Sequence, residues 1–193
     1  MVKKSVLYTA AILVVVALPA SASDTGFYIG AALGQSNIEI TDFYPTLGDS
    51  LKQSSDSFKA FAGYRFLPFL AVEAGYANLG SPQGLERNVP EHPEVAEVSI
   101  KGWDAFVIGI LPVSKNFDIF AKAGLYAWDT DITSVQDSEV IYDESLTGTD
   151  TAFGGGLGFW VGKNVTLRAE GEWLKVGEYS TVGFYSVGVT YTF

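Results

Sequence analysis

The chain has no cysteine, which excludes disulfide staples and thiolate metal sites as sources of stability. It has a single histidine, His92, and few bases: 12 Lys and Arg stand against 22 Asp and Glu, for a net charge of −10. Such a surface repels nucleic acid and offers no basic patch for phosphates, so a nucleic-acid partner is excluded. Also missing beyond residue 22 is any uninterrupted apolar run near the roughly 20 residues that a membrane helix needs.

The one long apolar stretch runs from Val6 to Leu18, behind Lys3 and Lys4 and ahead of Pro19 and the small residues Ala20-Ser21-Ala22. A charged start, a short apolar centre and an A-x-A site predict a cleaved export signal over 1–22 and a mature chain over 23–193. Loss of Lys3 and Lys4 takes the net charge to −12.

What the mature chain has is glycine, 21 in all, 14% aromatic residues and a persistent period of two. Residues 27–34 set Phe27, Ile29, Ala31 and Leu33 against Tyr28, Gly30, Ala32 and Gly34. The last stretch, FYSVGVTYTF, sets Tyr185, Val187, Val189, Tyr191 and Phe193 against Ser186, Gly188, Thr190 and Thr192. An apolar residue at every second position is the mark of a strand with one greasy face. The same alternation recurs over 57–66, 70–79, 99–111, 117–128, 151–161 and 165–174. Short turns at Leu67-Pro68, Pro112 to Asn116 and Gly162-Lys163-Asn164 join these into hairpins. Four connections, 35–56, 78–98, 129–150 and 175–182, are polar, and three of them are unusually long.

Eight alternating strands with short turns at one end and long loops at the other predict an all-β chain, an eight-stranded antiparallel transmembrane up-and-down β-barrel. A soluble lipocalin-like barrel is the rival. Two observations favour the membrane reading: charges sit on the minority face, and aromatics collect near strand ends. Phe27, Phe66, Phe69, Phe159, Tyr191 and Phe193 lie toward the short turns, and Tyr76, Trp173 and Tyr185 toward the loops, as two interfacial girdles require.

The segments GYRFLPFLAVEAGYANLG (63–80), LPVSKNFDIFAKAGLYAWDTD (111–131) and GGGLGFWVGKNVTLRAEGEWL (154–174) resemble three hairpins of the OmpA-like outer-membrane β-barrel domain. The final strand is similar to the assembly signal of such barrels, with Tyr191 and Phe193 as its aromatic residues. The resemblance implies the outer membrane of a Gram-negative bacterium, insertion by the barrel-assembly machinery, and surroundings of outer-membrane lipids and lipopolysaccharide. The periplasmic peptidoglycan-binding domain often found in the family is not expected here.

Lys59, Arg65, Lys122, Arg168, Glu73, Asp104, Asp118, Glu170 and Glu172 fall on the minority face. Enclosed charges are costly unless paired, so the mixed signs predict a lumenal ion-pair network, centred on Glu73, Lys122, Arg168 and Glu170. The resemblance matches Glu73 and Arg168 to a carboxylate–arginine pair able to block conduction. It also places Ile108 and Gly158 where a lysine and a glutamate are expected as exchange partners. A static plug and a gate both remain open.

No catalytic residues, cofactor or metal are expected. Glu170 and Glu172 share a strand face but serve better as partners of the bases than as an acid–base pair. His92, in EHPEVAE, lacks a G-x-S-x-G or H-E-x-x-H context. The acids of 129–150 break the EF-hand pattern after Asp129 and Asp131. The expected function is a structural outer-membrane barrel presenting acidic loops, open to adhesion or other surface contacts. The alternatives are a small gated ion-conducting pore and an outer-membrane lipid-modifying enzyme. Oligomeric state and loop ligand are not readable from the sequence.

Overall fold

The computed structural model describes residues 25–40, 51–80, 83–87, 94–136, 139–177 and 180–193. They form nine strands: β1 (Gly26–Ile40), β2 (Leu51–Leu67), β3 (Leu70–Asn78), β4 (Gln83–Arg87), β5 (Glu94–Ser114), β6 (Phe117–Gln136), β7 (Glu139–Val161), β8 (Val165–Val176) and β9 (Ser180–Thr192). Every neighbour is antiparallel, β1 pairs with both β2 and β9, and a β3–β5 pairing closes the sheet. The short β4 continues the column of β3: it pairs with Glu94–Glu97 of β5, whereas β3 pairs with Lys101–Gly109 of the same strand. Nine strands therefore make a barrel of eight columns, the predicted architecture.

The alternation resolves into an inside and an outside. On β8, Thr166, Arg168, Glu170, Glu172 and Leu174 are buried, while Leu167, Ala169 and Trp173 face out. Leu33 and Val187 are 66% and 67% exposed, and Phe27, Val72, Val107, Leu125 and Leu157 join them in a continuous outer apolar surface. Scattered exposed leucines need no explanation, but a belt of this extent calls for a lipid partner. Aromatic contacts border it at both ends. Phe27 meets Phe193 with ring centroids 5.6 Å apart and Tyr191 meets Phe193 at 5.2 Å near the short turns. Tyr76 meets Trp103 at 5.2 Å, and Trp173 meets Tyr185 at 6.1 Å, near the far end.

The short turns fall where expected, and Gly162 supplies the left-handed φ of +82° that its turn needs. The connections differ from expectation. Residues 129–150 are not a loop: β6 reaches Gln136 and β7 begins at Glu139, so the hairpin continues well beyond the lipid-facing belt. The connection 35–56 likewise contains the ends of β1 and β2, and 78–98 contains β4 and the start of β5. In DTDITSVQ and EVIYDESLTGTD polar and apolar residues follow no steady period of two, so the sequence does not betray the strand.

Candidate functional site

The barrel interior at mid-height is a network of seven charged side chains. Lys59 Nζ lies 2.9 Å from Asp104 Oδ2 and 3.0 Å from Glu172 Oε1. Lys122 Nζ lies 2.5 Å from Glu170 Oε2 and 2.6 Å from Glu172 Oε1. Arg168 spans Glu73 and Glu170, with Nη1 donating to Glu73 Oε2 at 2.7 Å and Nη2 to Glu170 Oε2 at 3.2 Å. The Tyr28 hydroxyl adds a hydrogen bond to Glu73 Oε2 at 3.2 Å. All seven side chains are buried. Charges so far from water persist only where partners replace their hydration, and here each carboxylate has a cation within contact distance.

The cations also rest on rings. Lys59 and Lys122 each place Nζ 4.8 Å from the centroid of Phe106, and both contact Glu172 Oε1. The Arg168 guanidinium lies 4.8 Å from Phe61 and 4.6 Å from Phe120. Phe61, Phe120 and the Tyr28 ring lie over glycines of the neighbouring strands: a Cβ at Gly30 would overlap Phe61, one at Gly63 would overlap Tyr28, and one at Gly156 would stand 2.7 Å from Phe120. Glycine is needed there because the ring occupies the space a side chain would take.

Toward the loops, most of the next inward-facing positions are apolar, with Ser36 and Ser57 buried among them. Leu79, Ile100, Leu174, Val182 and Phe184 are buried together with Tyr126, forming a collar over the network. Toward the short turns lies a cavity of about 60 Å³, lined by Arg65, Asp118, Trp160, Thr190, Ile108 and Gly158 among others. That volume accommodates a few water molecules. Arg65 Nη1 donates to Asp118 Oδ2 at 3.2 Å and its Nη2 to the Pro68 carbonyl, while Trp160 Nε1 donates to the same carboxylate at 2.9 Å.

Glu73, Lys122, Arg168 and Glu170, singled out from sequence, thus lie together, and three further members belong with them: Lys59, Asp104 and Glu172. Their minority-face positions were visible; their convergence depends on cross-strand register. Register also shows what stands beside the two expected exchange positions. Ile108 and Gly158 do lack charges, but Lys122 stands directly opposite Ile108 on the adjacent strand. Its Nζ lies 3.7 Å from Glu73 Oε1, and Lys59 Nζ lies 3.8 Å from the same oxygen. Glu73 therefore has alternative cations beside it. Glu170 and Glu172 share Lys122 as a common partner, which is an arrangement for charge balance. Tyr191 and Phe193 sit at the base of the β1–β9 seam, where Phe193 N donates to the Phe27 carbonyl at 3.0 Å. His92 lies outside the described residues, as does Asp137.

At the outer rim, Asp131 accepts from Lys101 Nζ at 2.9 Å and from Ser145 Oγ at 2.8 Å. Asp150 accepts from Trp128 Nε1 at 2.9 Å and from the Gly177 amide at 2.8 Å. The Trp128 and Gly177 hydrogen bonds hold the Asp150 carboxyl below the usual aspartate range. A carboxylate depressed on folding stabilises above its unfolded value, about 3.9, and that contribution is lost as pH falls through the lower folded value. The Gly177 amide and Trp128 indole resonances are therefore expected to shift together below pH 3.9, and Asp150→Asn to abolish the shared titration. Independent titration of the two resonances would refute the shared partner.

The OmpA-like transmembrane domain family matches residues 22–193, nearly the whole chain. The chain belongs to that family. Outer membrane protein A of Klebsiella pneumoniae is 29% identical over 195 residues, covering 91% of this chain and 53% of the relative. The chain spans about half the length of the curated relatives it matches. Among solved structures, Neisserial surface protein A superposes with a TM-score of 0.64 at 18% identity, covering 90% of this chain and all of the other. Ail, the attachment invasion locus protein of Yersinia pestis, gives 0.57 at 16% identity, covering 87% and 99%, in a complex with the heparin analogue sucrose octasulfate. These likenesses identify the fold as that of outer-membrane barrels. This OmpA-like barrel is a protein of the Gram-negative outer membrane, and the greasy outer belt faces its lipid.

Proposed function

We propose that the chain is a closed structural barrel whose tall outer strands form a contact surface outside the membrane. The observation that carries this reading is a lumen blocked at two levels, by the seven-charge network and by the apolar collar of Leu79, Ile100, Leu174, Val182 and Phe184. An ion would have to break several buried pairs and then cross a largely apolar constriction, and eight-stranded barrels have little room beyond their own side chains. Reconstituted into planar lipid bilayers, the wild-type protein is expected to show no unitary conductance. Discrete channel openings at neutral pH would overturn the reading.

The second reading, a gated pore, is favoured by the two lysines 3.7 and 3.8 Å from Glu73, which offer it partners other than Arg168. The two readings separate in Arg168→Ala: a gate predicts conductance once the arginine is gone, whereas the collar predicts continued closure. The carboxylates are all engaged and the lumen is enclosed, so neither reading assigns catalysis.

The contact surface is acidic in sequence, and a net charge of −10 makes a sulfated polymer, the ligand class in the Ail complex, a poor match. Residues 1–22 are read as the removable export signal, a reading supported by the family match beginning at residue 22. The Tyr191–Phe193 end of β9 is read as the segment recognised by the barrel-assembly machinery. Outer-membrane lipids and lipopolysaccharide are its proposed surroundings.

A further inference from the structure

The barrel wall is not of equal height. The β7–β8 ladder ends at Ala152 paired with Leu174, yet β7 continues from there back to Glu139. Over that stretch its other edge stays paired with β6, from Leu125–Thr151 up to Ser134–Tyr142 and, past a bulge at Ile141, to Gln136–Glu139. At about 3.3 Å per residue, Glu139 to Thr151 amounts to about 40 Å of strand. Among the described residues no strand pairs with the outer side of this stretch. One side satisfies its hydrogen bonds in the sheet and the other presents alternate N–H and C=O groups.

Such an edge is a template for pairing with another chain, and proteins usually blunt it with Lys, Pro or short length. Residues 139–151, EVIYDESLTGTDT, contain neither Lys nor Pro, and the ladder below the bulge at Ile141 is regular from Tyr142 to Thr151. Their composition discriminates between occupants. The segment has four carboxylates, Glu139, Asp143, Glu144 and Asp150, and no base. A second copy pairing edge to edge would bring two such segments together, with like charges across the new ladder. An extended segment rich in lysine or arginine would meet complementary charge while completing the main-chain hydrogen bonds.

We propose that the outer edge of β7, residues 139–149, is a docking site for a cationic, extended segment of another protein, added as an antiparallel or parallel strand. The proposal rests on the reading of the outer strands as a contact surface and names the element and the chemistry of its partner. Main-chain pairing supplies the geometry, and the carboxylates supply partner choice and encounter rate.

The test uses the full folded chain in lipid nanodiscs and a synthetic peptide of about ten residues alternating lysine with valine or threonine, long enough for strand addition. A control peptide has the same sequence with alternate amides N-methylated, which keeps the charge and removes the hydrogen bonds. In the free protein, alternate amides over Leu146–Thr149 are expected to exchange fast. The unmodified peptide is expected to slow their exchange about tenfold or more, and the methylated one to leave it unchanged. Asp143→Lys with Glu144→Lys is expected to weaken binding by about tenfold. Proline placed at successive positions from 146 to 149 is expected to abolish binding only at those whose amide points outward. Equal binding of both peptides, unchanged affinity of the charge-reversed variant, or outward amides already protected in the free protein would each overturn the proposal. Bilayer conductance of the same preparation reports separately on the closed lumen, so failure of docking and failure of the structural reading are distinguishable.

Discussion

Replacing Lys122 by methionine is expected to destabilise the folded barrel by about 3–5 kcal/mol, the usual cost of removing one partner from a buried ion pair. Lys122 contacts Glu170 at 2.5 Å and Glu172 at 2.6 Å, with Glu73 at 3.7 Å. Its loss leaves four carboxylates, Glu73, Asp104, Glu170 and Glu172, facing only Lys59 and Arg168. Methionine keeps most of the side-chain volume, so the effect reports on charge rather than on a cavity. Urea unfolding in lipid vesicles, followed by the different gel mobility of folded and unfolded barrels, measures the difference. Adding Glu172→Gln removes one of the stranded charges and is expected to recover part of the loss. If the double variant is no more stable than Lys122→Met alone, charge balance is not what Lys122 provides.

Phe106→Ala is expected to cost about 3–5 kcal/mol, the range for removing a buried phenylalanine, because the ring is 2% exposed and packs beneath two ammonium groups. The more informative variant is Phe106→Leu. It keeps an apolar group in place but removes the π face that Lys59 and Lys122 approach to 4.8 Å. Each desolvated cation–π contact is worth about 0.5–2 kcal/mol, so leucine is expected to lose an intermediate amount. If Phe106→Leu matches the wild type in the same urea titration, the ring acts only as filler.

The barrel was legible where lipid and lumen differ most. Leu167, Ala169 and Trp173 alternate with Arg168, Glu170 and Glu172 because one face is held in hydrocarbon and the other among ions, and that contrast writes the period of two into the sequence. Beyond the belt the contrast disappears, which is why the Asp129–Gln136 and Glu139–Asp150 arms of β6 and β7 read as loop. The rings inside the lumen were hidden for another reason. Phe61 and Phe120 stand on the charged face, but a phenylalanine there says nothing about whether a glycine on the next strand leaves room for it. Gly30 and Gly156 provide that room, and only the register shows the pairing. The inclusion of Lys59, Asp104 and Glu172 in the central network is likewise a fact of register, since these residues come from three separate strands.

The span of the network along the chain has its own consequence for biogenesis. Lys59 and Glu172 are 113 residues apart, and Glu73 and Arg168 are 95 apart. Neither pair can form within one hairpin, so a sheet inserted into hydrocarbon before its ends meet would lack both of them and hold its buried charges with fewer partners than the closed barrel gives. Partly inserted sheets are thereby penalised until β1 reaches β9, and insertion and closure become one concerted event.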